Sequence, residues 1–476
     1  MIVIKSGVTM GIEGFPIDVE VDIRPGLPGF EIVGLPSKTV KESRERVRSA
    51  LRNSGFKFPS QKVIVNLAPA HYRKDGASFD LPIALGILAH ERIINPLSIK
   101  NSIFAGELSL SGKLKSISGI LSLAELAHQL KFRLILPIGN FEETKLLDDD
   151  IFLFSSSLKE LVSILNGNST PNNPSHVHIS TASSHESPVI RGQEQAKRAL
   201  EIAALGRHHI ILVGPPGVGK TLLATNAVHL LPPPTRDEIV TLNKIYGADA
   251  TINREVKFIN RRPVRTPHHS ISQSALIGGK KGKPGEITLA HSGILLLDEF
   301  PEFNQATLQS LREPLDQKRI SISRADYTLT YPADFWMIAT ANPCPCGYYG
   351  SSIRLCTCNS RDLNRYRRKF RGPLMDRFDL FCYLSPLSEK ELQKEANPWP
   401  TKTKGSIIPK QIKASSEAMD FLYNAQKTLH LSVRGFKNTH KVAKTIALVS
   451  RANEVTLDHM AEALQYRFEN NEQFMV

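Results

Sequence analysis

Residues 214 to 221 read Gly214-Pro215-Pro216-Gly217-Val218-Gly219-Lys220-Thr221, followed by Leu222. A glycine-rich loop ending in Lys-Thr suits one chemistry above others, the cradling of a polyphosphate. The glycines let backbone amides turn toward phosphate oxygens, Lys220 reaches the β and γ oxygens, and the Thr221 hydroxyl can hold Mg²⁺. The apolar run Ile210-Ile211-Leu212-Val213 leads straight into the loop, and Leu222-Leu223-Ala224 continues from it as a helix. This strand, loop and helix setting is what the pattern requires. Residues 214 to 222 are therefore the expected nucleotide contacts.

Two further runs can complete such a site. Ile294-Leu295-Leu296-Leu297 ends in Asp298-Glu299, which suits a parallel strand buried on both faces with two carboxylates at its ligand-binding end. Asp298 would hold Mg²⁺, and Glu299 would orient and polarise an attacking water, so the second carboxylate points to hydrolysis and not mere binding. The run Phe335 to Ala341 ends at Asn342, an amide able to sit between the carboxylates and the γ-phosphate. On spacing alone Asn342 is equally an ordinary turn residue before Pro343.

Four of the five cysteines fall in two close pairs, Cys344/Cys346 and Cys356/Cys358, while Cys382 stands apart. Two such pairs can give Zn²⁺ four thiolates in a tetrahedron. The C-x-C spacing departs from the commoner C-x₂-C, so free thiols in a tight Pro/Gly loop remain a second reading. His268 and His269 are adjacent, and adjacent side chains seldom converge on one metal. Hydrogen bonding or substrate contact is the expectation there.

The elements that must position these residues alternate strand and helix after about residue 189, as a parallel doubly wound sheet requires. From about residue 411 the pattern turns helical, with Ala418, Phe421, Leu422 and Ala425 at helix spacing. Residues 167 to 188 are polar, rich in Pro and Ser, and lack periodicity, which reads as a linker. Before it lies another α/β region, with strand-like runs such as Lys62-Val63-Ile64-Val65-Asn66. The expected organisation is an N-terminal domain over 1–166, a linker over 167–188, an ATPase core over 189–385 and a helical lid over 386–476. A chain of 476 residues with 41% hydrophobic content can fill two or three such cores. Sixty Lys+Arg against 46 Asp+Glu give a net charge of +14, which favours a polyanionic partner over a basic one. No apolar stretch approaches the ~20 residues that span a bilayer, so no membrane partner is expected. The opening Met1-Ile2-Val3-Ile4-Lys5-Ser6-Gly7 lacks the pattern of a secretory signal, and a cytoplasmic location is the expectation.

The block from the phosphate loop through Asp298-Glu299 and Asn342 to Gly372-Pro373-Leu374-Met375-Asp376-Arg377-Phe378-Asp379 resembles AAA+ ATPases in order and separation. The resemblance implies that Asn342 belongs to the site. It also makes Arg377 a finger that completes a neighbouring subunit's site, and Arg434, in Ser432-Val433-Arg434-Gly435, a sensor arginine on the lid. The likeness narrows to the magnesium-chelatase-like branch and, within it, to the ComM/YifB family. It is carried by Val33-Gly34-Leu35-Pro36, Lys41 to Arg46, Asn66-Leu67-Ala68-Pro69-Ala70, Phe79-Asp80-Leu81-Pro82, Arg265-Thr266-Pro267-His268-His269-Ser270, Pro284 to His291 and Asn342 to Gly347. The stretch between about residues 386 and 412 departs from the family, which has a longer, arginine-rich helical stretch there.

The N-terminal region resembles the Lon protease fold, with Ser78 where that family carries its nucleophile. Leu121 stands where the activating lysine should be, so the domain reads as catalytically silent, and a Lon-like peptidase is disfavoured. In related motors, loops lining a ring's pore correspond to Lys280, Lys281 and Lys283 and to the hairpin-like run carrying Arg319 and Arg324. Lysines on glycine loops suit phosphate contact, and solvated turns are the other reading. Arg361, Arg365, Arg367, Arg368, Lys369 and Arg371 form a second basic stretch, for a subunit interface or DNA. The expected fold is an α/β chain, a P-loop AAA+ core with a helical lid preceded by a Lon-protease-like domain. The expected function is an ATP- and Mg²⁺-dependent DNA motor, a helicase or branch-migration translocase. It would work as a homohexamer on single-stranded or branched DNA in natural transformation. The alternative is a magnesium-chelatase-like ATPase that remodels a protein partner.

Overall fold

The computed structural model describes every residue except 73, 148–149, 172–188, 249–257, 280–281, 324–327, 352–353, 371, 389–390, 392, 394–398, 400–411 and 468–476. Lys280, Lys281, Arg324, Arg371, most of the expected linker and most of the stretch expected to depart from the family thus lie outside the described residues. The chain divides into two compact units. One comprises Met1–Thr181 with Arg236–Ile259, and the other Ala182–Thr235 with Asn260–Val476. No helix of the described residues is long and apolar enough to cross a membrane.

The first unit is built on a seven-stranded mixed sheet. Its strands are β1 (Ile2–Met10), β2 (Glu13–Arg24), β3 (Gly29–Val33), β4 (Lys62–Ala68), β5 (Ser102–Phe104), β8 (Arg133–Pro137) and β9 (Phe152–Ser155), in the order β3-β4-β2-β1-β5-β8-β9. The short hairpin β6 (Glu107–Leu108) and β7 (Leu114–Lys115) stands beside it. In β4 every second residue is buried, so one sheet face turns to the core. The helix Asp80–His90 packs there and is buried along almost its whole length. Two of the sequence segments behind the family likeness meet at its start. Arg46 donates through Nε and Nη2 to the two oxygens of Asp80, at 2.6 and 3.0 Å, and the Leu108 amide adds a third bond at 3.2 Å. The Asp80 side chain is fully buried, so this bidentate pair serves to lock two helices together. Leu121 lies on the helix Ile120–Leu130, packed with Leu146 and Ile239. Ile239 comes from the helix Arg236–Gly247, a late segment of this unit. That helix is held by Arg236 Nε on the Leu146 carbonyl (2.8 Å) and by Lys244 on Glu125 (2.6 Å).

The second unit carries a five-stranded sheet of β10 (Ile210–Val213), β11 (Val264–Arg265), β12 (Ile294–Leu297), β15 (Trp336–Ala341) and β16 (Leu380–Tyr383), in the order β11-β12-β15-β10-β16. All its pairings are parallel. Strands β10, β12 and β15 are buried at every position, as a sheet covered on both faces demands. This topology brings the ends of β10, β12 and β15 to one edge. Between β12 and β15 the chain makes a separate antiparallel hairpin, β13 (Arg319–Ser323) with β14 (Thr328–Pro332). The C-terminal helices Ser416–Thr428, Val433–Val449 and Leu457–Gln465 share the core of this unit through Leu422, Val442, Ile446 and Leu464. Ser432 caps the second of them by accepting from the Gly435 amide, which fixes Arg434 in the first helical turn. Trp399, inside the stretch expected to depart from the family, is only 2% exposed and joins the same core.

Candidate functional site

The phosphate loop leaves β10 and turns through Gly219, at φ +93°, into the helix Lys220–Asn226. That left-handed backbone is open to glycine at no steric cost. Lys220 folds back over the loop, its Nζ donating to the carbonyls of Gly214 (2.6 Å) and Pro215 (2.8 Å) and to Oδ1 of Asn342 (3.1 Å). Burial lowers the Lys220 ammonium to about 8, against the pull of Asp298 and Glu299.

The acidic pair closes the other side. Thr221 donates from Oγ1 to Asp298, 3.1 Å to Oδ1 and 3.3 Å to Oδ2. A hydroxyl and a carboxylate at this separation are the oxygen donors an octahedral Mg²⁺ takes alongside phosphate and water, so the donor set fits the ion. Glu299 follows at φ +54°, and its amide donates to Thr340 Oγ1 at 3.1 Å. The Thr340 hydroxyl in turn donates to Asp298 Oδ1. One threonine therefore sets both acidic residues against β15. Sequence reasoning passed over Thr340, although it lies near the end of β15, two residues before Asn342. His269 stands 3.6 Å from the Glu299 carboxylate through Nδ1, while His268 bonds Ser270 at 2.8 Å. A polar cleft of 610 Å³ opens beside them, lined by His269, Ser270, Gln273, Glu302, Asn304 and Thr307 among others.

Asn342 leads directly into the cysteine loop. The Sγ atoms of Cys344, Cys346, Cys356 and Cys358 all lie within 4.8 Å of one another. Cys344 is 3.3 Å from Cys346 and 3.7 Å from Cys356, and Cys346 is 3.5 Å from Cys356. A tetrahedral Zn²⁺ with bonds of about 2.3 Å needs sulfurs about 3.8 Å apart, so the four thiols fit that ion. Burial works to raise the Cys346 thiol, yet the Tyr348 and Thr357 amides hold it down to about 5. The loop also leans on the phosphate cradle. Gly347 has φ +86°, and a Cβ there would come within 2.7 Å of Pro216.

The other expected residues fall elsewhere. Arg377, in a tight turn over Met375–Arg377, is 8% exposed and donates to the Pro373 carbonyl (2.6 Å) and to Asp316. Arg434 donates from Nη2 to the same Asp316 at 3.0 Å. Neither bonds Lys220, Thr221, Asp298 or Glu299. Arg319 opens β13 and is exposed, and Lys283 is half-buried in the loop before Pro284. The Tyr331 hydroxyl, on the same hairpin, donates to the Gly282 carbonyl and ties the hairpin to that loop. In the second basic stretch Arg367 lies over the Tyr349 ring, and Lys369 pairs with Glu302 at 3.5 Å.

A parallel sheet in this order, with a phosphate loop, an acidic strand and a strand ending in Asn at one edge, defines an AAA+-type ATPase domain. Family profiles place the branch: "Magnesium chelatase, subunit ChlI" matches residues 188–392, "Subunit ChlI of Mg-chelatase" residues 19–140, and "Magnesium chelatase, subunit ChlI C-terminal" residues 388–467. The chain belongs to the ComM/YifB family of magnesium-chelatase-like proteins. It is 38% identical to competence protein ComM of Haemophilus influenzae, across 98% of this chain and 97% of that one. It is 36% identical to the protein YifB of Escherichia coli, across 98% and 96%. A shorter likeness, 31% identity over 150 residues, is to Lon protease 2 of Bacillus subtilis, 29% of this chain and 26% of that one.

Proposed function

We propose that the chain is an ATP-driven motor on single-stranded or branched DNA, a helicase or branch-migration translocase. It works in the cytoplasm as a homohexameric ring during natural transformation. The observation that carries this reading is the placing of the β13–β14 hairpin. It is inserted between β12, which leads into Asp298 and Glu299, and β15, which carries Thr340, so an arm able to touch a substrate is part of the same sheet's connection. Its exposed face presents Arg319, Ser321 and Thr330, donors suited to phosphate oxygens without base readout. The net charge of +14 and the likeness to a protein named for competence support the same partner.

The reaction is hydrolysis of the bond between the β and γ phosphates. Lys220 binds the phosphates, Thr221 and Asp298 hold Mg²⁺, Glu299 positions the water, and Asn342 steers Lys220. Mg²⁺ supplies charge neutralisation at the phosphate oxygens. Arg377 and Arg434 stabilise charge on the γ-phosphate. ATPase rate should rise several-fold with single-stranded or forked DNA, and the gain should shrink as salt rises, because phosphate contacts release counterions. A rate indifferent to both DNAs at low salt would leave the remodelling of a protein partner in its place.

The cysteine loop, on this reading, holds one structural Zn²⁺ through Cys344, Cys346, Cys356 and Cys358. Elemental analysis should find about one zinc per subunit, the number four thiolates saturate. Because Gly347 abuts Pro216, stripping the metal should lower ATPase as well as loop order. Metal-free protein with four alkylatable thiols and full ATPase would speak for free thiols.

A further inference from the structure

Asp316 has no motif to announce it. It sits in the last turn of the helix Arg312–Gln317, three residues before β13 begins. Its half-exposed carboxylate accepts from Arg377, 61 residues away in the chain, and from Arg434, 118 residues away. The turn bearing Arg377 and the helix bearing Arg434 are also stitched together by Asn438 Nδ2 on the Asp376 carbonyl at 3.3 Å. Two guanidiniums drawn to one point repel each other unless an anion lies between them, and here Asp316 is that anion. Partial desolvation acts to raise its carboxyl, but the two arginines hold it below the usual range. Among the described residues the buried Arg377 Nε has no hydrogen-bond partner.

The place of Asp316 in the chain gives that clamp a second connection. Lys318, at φ +56°, ends the helix and starts the hairpin, and its Nζ meets Asp334 at 3.2 Å. The Ala333 amide donates to the Lys318 carbonyl at 2.8 Å, closing the base of the hairpin. An arm braced in this way moves as a piece, and the turn carrying Asp316 must follow it. We propose that Asp316 is a positioning residue that withholds Arg377 and Arg434 from the γ-phosphate and yields them when the hairpin is displaced by its substrate. This rests on the reading that both arginines serve the ATPase. Phosphate and Asp316 compete for the same donors, so removing the carboxylate charge favours phosphate.

The test compares full-length wild type, Asp316→Asn and Asp316→Glu, each with and without single-stranded DNA. Asp316→Asn should raise kcat without DNA about fivefold or more, with little change in KM for ATP, and should flatten the response to DNA. Asp316→Glu, which keeps the charge, should return the DNA-free rate toward that of wild type. The rise should vanish when Arg377→Ala is added. Asp316→Ser, also uncharged, supplies the same comparison should the amide disturb folding. A DNA-free rate that stays level or falls in the uncharged variants, or a rise that survives Arg377→Ala, would overturn the proposal. The DNA-motor reading is judged separately, by whether the wild-type rate responds to DNA at all, since the clamp is read from DNA-free rates.

Discussion

Arg377→Ala in every subunit should slow ATP hydrolysis by about a thousandfold or more, the scale on which arginine fingers act in phosphoryl transfer. The planar fork of a guanidinium matches two phosphate oxygens at once. Within its own chain Arg377 bonds Pro373 and Asp316 and none of the phosphate-loop or acidic residues. It is therefore expected to serve a neighbour. Mixing Arg377→Ala subunits with Lys220→Ala subunits should restore part of the activity, because an intact pocket on one can then meet an intact finger on the next. Mixed assemblies with no recovery, their composition verified by mass, would count against a finger in trans.

Glu299→Gln should leave ATP bound and slow its hydrolysis by about a hundred- to ten-thousandfold, the usual worth of a positioned base. The amide keeps the shape of the side chain, and the backbone bond from residue 299 to Thr340 is untouched. What it loses is the charge proposed to polarise water. Lys220→Ala should differ in kind, weakening nucleotide binding itself, since its Nζ spans the loop carbonyls and Asn342. A nucleotide-binding titration run beside the rate measurement separates the two, and normal hydrolysis by Glu299→Gln would remove the residue from its role.

What could be read from the sequence was local or periodic. Gly214 to Thr221 is contiguous, and Asp298-Glu299 closes an apolar run, so the loop and the acidic strand declare themselves without tertiary knowledge. That Lys220 reaches Asn342 follows only once β10 and β15 are neighbours, and spacing left Asn342 open until the family likeness was weighed. Thr340 carried a signal in its place two residues before Asn342. Asp316 carried none, since its partners lie 61 and 118 residues on. Arg46 and Asp80 both lie in segments that carry the family likeness, yet only the fold shows the pair as a buried lock. Sequence proximity was no guide for the helix Arg236–Gly247, which follows the phosphate loop in the chain but joins the N-terminal unit.

That helix makes the first unit discontinuous, with consequences for how the polypeptide matures. Leu121 and Leu146 are covered by Ile239, from a stretch synthesised more than ninety residues after Leu146. An emerging chain that has just completed β9 still displays that apolar patch, and must carry it through synthesis of the phosphate loop before it can be sealed. Closing so long a loop is slow and prolongs exposure of sticky surface during translation. Cutting the gene at the linker would likewise yield a fragment lacking the helix Arg236–Gly247, so the two units must be made together.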